Sequence, residues 1–251
     1  MDVLQATGLG AAAFVAGAIN AVAGGGSLVS FPALVAAGYA SKVANVTNTV
    51  ALWPGYVGGS IGYRSELRRQ RRTVAALSLP SVLGAVAGSA ILLATPTKAF
   101  DVIVPFLIVT ACLLMAVQDR LAAWAARHSL GGDGVSAAVL VATFLLAIYG
   151  AYFGAGLGIM LLAALGILMP DDPQHSNALK GMLSLIINAA AVVYFAAFGP
   201  VRWEPAAVMA VGAIAGGYLG VGVARRLGKR WLRAVVIAYG LVSAAVLFVR
   251  L

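Results

Sequence analysis

Charged side chains are missing from two long stretches of the chain, residues 3–41 and 134–170, and each stretch ends in a polar cluster. The first leads into Lys42, Asn45, Thr47 and Asn48; the second leads into Asp171, Asp172, His175, Asn177 and Lys180. Glycine interrupts both, at Gly24-Gly25-Gly26-Ser27 and at Gly154-Ala155-Gly156-Leu157-Gly158. The other windows between charges, 43–63, 73–97, 102–118, 181–201, 205–224 and 234–249, are also long and largely apolar. About 20 apolar residues cross a bilayer as helix. No window shows the alternation of barrel strands, and backbone in lipid must satisfy itself, so the spans are predicted to be helices. The pattern predicts an all-α polytopic membrane protein, one transmembrane domain over residues 1–251.

The halves repeat the same order: broken apolar segment, polar cluster, long helix, two more helices. An offset of about 130 places Gly24-Gly25-Gly26 on Gly154-Ala155-Gly156, and one of about 132 places Asn45 on Asn177 and Tyr63 on Phe195. Repeat one covers about 3–118, the linker about 119–133 and repeat two about 134–250. Two topologies fit. Eight plain crossings split the basic residues almost evenly between the two sides, leaving no orientation. The other gives each half three crossings and one re-entrant hairpin, 27–63 and 157–198, with tips near 39–48 and 171–180 inside the membrane. It collects loops 64–72, 118–133 and 225–233 on one side and leaves Lys98, Arg202 and Arg250 on the other. That bias orients the chain with the three basic loops in the cytoplasm. The halves then become inverted repeats, each with broken or re-entrant helices after its glycine-rich segment. The long window 181–201 fits a plain crossing better than a hairpin arm, whereas Trp53-Pro54-Gly55 is expected to break the corresponding helix in the first half.

Composition agrees with the membrane class: 62% of the 251 residues are hydrophobic and 10% are charged, against about 25% charged in soluble domains. The net charge of +9 could point to nucleic acid, but the basic residues sit in short loops that set topology, so no nucleic-acid partner is expected. Cys112 lies in an apolar span and reads as a packing residue. Residues 3–23 read as a retained helix, because a signal peptide begins with a basic region and Asp2 stands there. There is no HExxH, CxxC pair, Walker loop or Gly-x-Ser-x-Gly elbow, so no enzyme chemistry, cofactor or metal is expected. No carboxylate sits in mid-span, so no buried acid relay is visible.

The candidate substrate-binding residues are therefore those of the breaks and clusters: Gly24, Gly25, Gly26, Ser27, Asn45, Thr47 and Asn48, then Gly154, Gly156, Gly158, His175, Asn177, Lys180 and Asn188. Asn45, Asn177, Ser41 or Ser176 would cap helices starting at the hairpin tips. Such a helix start aims free N–H groups and the positive dipole end at an anion. Lys180 would add a full charge, at about 2.5–3.5 kcal/mol on insertion scales. The plainer readings are that Lys42 and Lys180 snorkel to water, that the glycines mark close helix crossings, and that Asn188 makes a local bond. Asp171 and Asp172 most simply cap the helix beginning at Pro173.

The run Asn20-Ala-Val-Ala-Gly-Gly-Gly-Ser-Leu-Val-Ser-Phe-Pro32 resembles the sulfite exporter TauE/SafE family. So do Lys42-Val-Ala-Asn-Val-Thr-Asn-Thr49, Gly58-Gly-Ser-Ile-Gly-Tyr-Arg64 and the second-half run Tyr149-Gly-Ala-Tyr-Phe-Gly-Ala-Gly-Leu-Gly158. The resemblance covers about 10–250 and implies movement of sulfite, sulfoacetate or other organosulfonates. Asn177-Ala-Leu-Lys180-Gly departs from the hydroxyl-rich stretch of many relatives, so the substrate does not follow from it.

An interior-negative potential favours anion exit by about 2.3 kcal/mol per charge per 100 mV. Export across the bacterial cytoplasmic membrane thus needs no acid to couple protons. A coupling proton or ion, a homodimer, an anion channel and a non-transporting assembly partner remain open alternatives.

Overall fold

The computed structural model describes residues 1–22, 25–62, 64–128, 134–169, 171–227 and 229–249. Gly24, among the candidates, lies outside them. Among the described residues the chain forms eleven helices and no strand: α1 (Val3–Val22), α2 (Ser27–Ala36), α3 (Ser41–Gly62), α4 (Arg64–Arg69), α5 (Arg71–Ala94), α6 (Thr97–Arg127), α7 (Ala137–Tyr152), α8 (Leu157–Leu168), α9 (Pro173–Phe198), α10 (Trp203–Leu227) and α11 (Lys229–Val249). Four of these are long and apolar enough to cross a membrane by length and composition. Large apolar side chains, among them Leu83, Phe106, Leu113, Val193, Val211 and Val242, face outward, as lipid contact requires.

Packing partners fix the direction of each helix. α1 and α10 run parallel: a Cβ added to Gly212 would overlap the Gly10 oxygen, and one added to Gly216 would overlap the Phe14 oxygen. α5 and α7 repeat the arrangement, Gly84 against Phe144 and Gly88 against Ile148. Only glycine lets backbones this close, and close approach replaces the hydrophobic drive that lipid removes. α3 follows the direction of α10, since Thr47 accepts from the Arg202 N–H at 3.1 Å and Gly55 lies against Ala213 further along. α5 runs against α3: the Lys42 ammonium donates to the Leu93 and Thr95 oxygens at 2.6 and 2.7 Å, at the end of α5. α9 also opposes α3, its first turn held by Gln70 Nε2 on the His175 oxygen at 3.1 Å and its end reaching Val46 through Gly199. α6 and α11 are antiparallel, joined by Arg233–Asp119 at one end and an edge-to-face Phe106–Phe248 pair at the other.

Thus Met1, Lys42, Thr95 and Arg202 share one end of the bundle, and Gln70, Asp119, His175 and Arg233 share the other. Residues 64–72, 119–127, 225–227 and 229–233 gather at the second end, as the hairpin topology predicts and the even split does not. The hairpins themselves are placed differently. The bends before α3 and α9 lie at opposite ends of the bundle rather than in its interior. α3 and α9, 22 and 26 residues long, reach about 33 and 39 Å, enough to run its whole depth. The half-length legs are α2 and α8, of 10 and 12 residues. Each folds back on the helix before it, so the hairpins are α1–α2 and α7–α8. Two smaller expectations are also corrected. α3 continues through Pro54, because a proline removes one hydrogen bond and packing on α9 and α10 holds the turn. The stretch 119–127, read as linker, is the last part of α6.

Candidate functional site

Each glycine break turns the chain back inside the bundle. At the first, Gly25 takes φ +91°, a left-handed conformation that side chains rarely adopt. The Gly26 N–H donates to Asn20 Oδ1 at 2.7 Å, and a Cβ on Gly26 would overlap the Ala16 oxygen. At the second, Gly154 and Gly156 take φ +77° and +82°, and the Tyr149 hydroxyl donates to the Ala155 oxygen at 2.6 Å. A polar side chain from the end of the preceding helix therefore pins each break, an acceptor in one half and a donor in the other. Asn20 reads from sequence only as a polar group on an apolar segment, and Tyr149 carries no signal beyond its place in a motif.

The two breaks converge on one turn of α6. Gly25 abuts Met115, and Gly156 lies against Ala111 and Leu114. From there α2 and α8 leave in opposite senses, α2 along α11 (Leu28 against Gly240) and α8 along α6 to Ala125. Both short helices thus begin in the interior, with their first N–H groups and positive dipole ends there. Ser27 is half-buried at the first residue of α2.

Lys180 stands against one of these starts. Its stem passes the first turn of α8, 3.5 Å from where a Cβ on Gly158 would lie. The side chain is half-buried. Among the described residues no carboxylate pairs with it and no hydrogen bond holds it. A lysine whose stem crosses a helix N-terminus, with no partner among the described residues, makes an electropositive corner.

The other candidates separate into groups. Asn45, fully buried, donates Nδ2 to the Tyr152 oxygen at 2.9 Å and so ties α3 to the end of α7. Thr47 ties α3 to α10. Neither Asn45 nor Asn177 caps a helix, because α3 begins at Ser41 and α9 at Pro173. Asp172 caps α9, accepting from the Gln174 N–H at 2.8 Å, which is the simpler reading of that acid. His175 contacts Asp171 at 3.2 Å at the bundle end and stands apart from the breaks. Asn177 is half-buried and has a partner. Asn188 donates to the Ser184 oxygen one turn back at 2.8 Å, a local bond. Lys42 is a cap on the C-terminus of α5, where a cation is favourable. Asn48 is 2% exposed, and its Oδ1 has no partner among the described residues.

The family profile described as "Sulfite exporter TauE/SafE" matches residues 9–247, and the chain belongs to that family of membrane transporters. A "Probable membrane transporter protein" of Haemophilus influenzae is 28% identical over 236 residues, which is 92% of this chain and 90% of the relative. A "Probable membrane transporter protein YfcA" of Escherichia coli is 24% identical over 239 residues, 93% of this chain and 86% of the relative. No solved structure matches the chain.

Proposed function

Given membership of the TauE/SafE family, we propose that this transporter moves small anions, sulfur-containing ones such as sulfite, sulfoacetate or another organosulfonate, outward across the bacterial cytoplasmic membrane. Lys180 carries the reading: a lysine with no counter-ion among the described residues lays its stem against the first turn of a helix that starts inside the bundle. An oxyanion there would be met by the lysine charge and by the positive dipole end of α8 together. Exit down an interior-negative potential, about 2.3 kcal/mol per charge per 100 mV, requires no coupling acid.

The repeats are inverted in this reading. Three observations support it: α7 runs opposite to α1, each half's first helix packs in parallel on the other half's third long helix, and both breaks rest on one turn of α6. The turn 111–115 is then the pivot about which the halves rock to expose the site alternately. The basic end of the bundle faces the cytoplasm by the positive-inside bias.

The test is flux of sulfite and sulfoacetate from proteoliposomes, with and without an imposed potential. Lys180→Gln is expected to lower both by tenfold or more while the purified protein keeps its melting temperature. Undiminished flux in that variant removes the lysine from the site. Absence of anion flux in the unmodified protein defeats the transport reading.

A further inference from the structure

We propose that Asn48 is a second station on the anion path, one that receives a hydrogen-bond donor, so that the transported anion carries an O–H or N–H group besides its charge. This rests on the transport reading above.

Asn48 sits on α3, six residues past Lys42, and is 2% exposed with an unpartnered Oδ1. Buried polar atoms in folded proteins are nearly always bonded. The rest of its cluster obeys that rule: Asn45 donates to Tyr152, Thr47 accepts from Arg202, and Thr49 donates to the Asn45 oxygen at 3.0 Å. Asn48 alone is left over. Leucine would fill the same volume with no polar atom to satisfy, so packing gives no reason for an amide here.

The repeat shows what the position is for. The interval that pairs Asn45 with Asn177 pairs Asn48 with Lys180. Hence the side-chain oxygen and the cation that lack partners among the described residues stand at equivalent places on equivalent helices. Their chemistry is not equivalent. An ammonium receives negative charge. A carbonyl oxygen repels it and receives a donor hydrogen. Trp53 and Leu185, in contact, are each five residues further along their helices than the two stations. The helices are antiparallel, so the stations lie on the order of 15 Å apart along the bundle. A small substrate meets them in turn.

Two monoanions of nearly equal size test the point: hydroxyethanesulfonate, and propanesulfonate, in which a methyl replaces the hydroxyl. In proteoliposomes the hydroxyl compound is expected to move about tenfold faster or more, because a site built to bond a hydroxyl rejects the analogue that lacks it. Asn48→Leu should bring that ratio to about one, whatever the absolute rates. Lys180→Gln should slow both anions and leave the ratio standing. A ratio near one in the unmodified protein, or an unchanged ratio in Asn48→Leu, overturns the inference and leaves anion transport intact. No flux of either anion, nor of sulfite, would instead sink the transport reading. If Asn48→Leu fails to fold, melting of the unmodified protein with each anion decides: hydroxyethanesulfonate should raise the melting temperature more, and equal shifts overturn the proposal.

Discussion

Trp53 donates its indole N–H to the backbone oxygen of Leu185 at 3.3 Å, and the two residues are 132 positions apart. That interval also superposes one polar cluster on the other, so α3 and α9 touch through a residue and its own counterpart. A two-fold relation between the halves would produce such a contact. The bond joins the two helices that carry Asn48 and Lys180, and it should matter modestly. Trp53→Phe removes the donor while keeping a ring. A loss of about 0.6 kcal/mol is expected, the average for bonds between helices in membranes, read by thermal unfolding in detergent. A loss of several kcal/mol would mean that the indole holds more than this bond.

The two lysines should behave oppositely. Lys42→Met frees two carbonyls at the end of α5 and should destabilise by about 1.5–3 kcal/mol, the range for bonds to charged groups. Its effect on the relative flux of different anions should be nil. Lys180→Met removes an unpaired charge and should leave stability equal or higher, with flux lost. Parallel melting curves and flux assays separate the two, and a stability loss in Lys180→Met would show that this ammonium has a structural partner.

The first break depends on Gly25 in two ways that a pair of substitutions can divide. Gly25→Ala places a methyl on Met115 and also forces a left-handed conformation, at about 1–2 kcal/mol. Adding Met115→Ala removes the overlap but not the backbone strain. The double variant should therefore recover only part of the lost melting temperature. Full recovery would show that the positive φ is not required.

Asn20 is expected to be as important as the glycines. Asn20→Leu leaves the Gly26 N–H without its acceptor, in a place where an unsatisfied buried donor costs about 1–3 kcal/mol. Faster amide exchange at residues 25–28 is the direct readout. Unchanged exchange there would mean that α2 holds the turn unaided.

Arg233 and Asp119 form a two-bond pair between α6 and α11 at 2.8 and 3.0 Å. The aspartate is 75% exposed, so the coupling in a double-mutant cycle of Arg233→Gln and Asp119→Asn should be about 0–1 kcal/mol. It should shrink further in high salt. A coupling of several kcal/mol would reveal a shielded pair.

Much of this protein is a one-dimensional property. The lengths of uncharged runs decide that it is helical and made for a bilayer, because backbone in lipid has no alternative partner. The clustered glycines mark the breaks, since a chain that turns back on itself needs conformations that other residues resist. The spacing of arginines separates the two ends, because charge resists crossing wherever it occurs. None of these needs to know which helix is next to which.

The roles of single polar residues do need it. Lys42 and Lys180 look alike in sequence, each in the polar cluster that follows a charge-free stretch. One finds two carbonyls about fifty residues away and becomes a cap, while the other finds a helix start and, among the described residues, no acid. Asn45 and Asn48 are one turn apart on the same helix, yet Asn45 is bonded through an oxygen 107 positions away and Asn48 is left without one. The depth of each bend was settled the same way, by how far α3 and α9 could run against neighbours. A hydrogen bond in the interior is decided by what another segment brings to within 3 Å, and that distance exists only once the chain has folded.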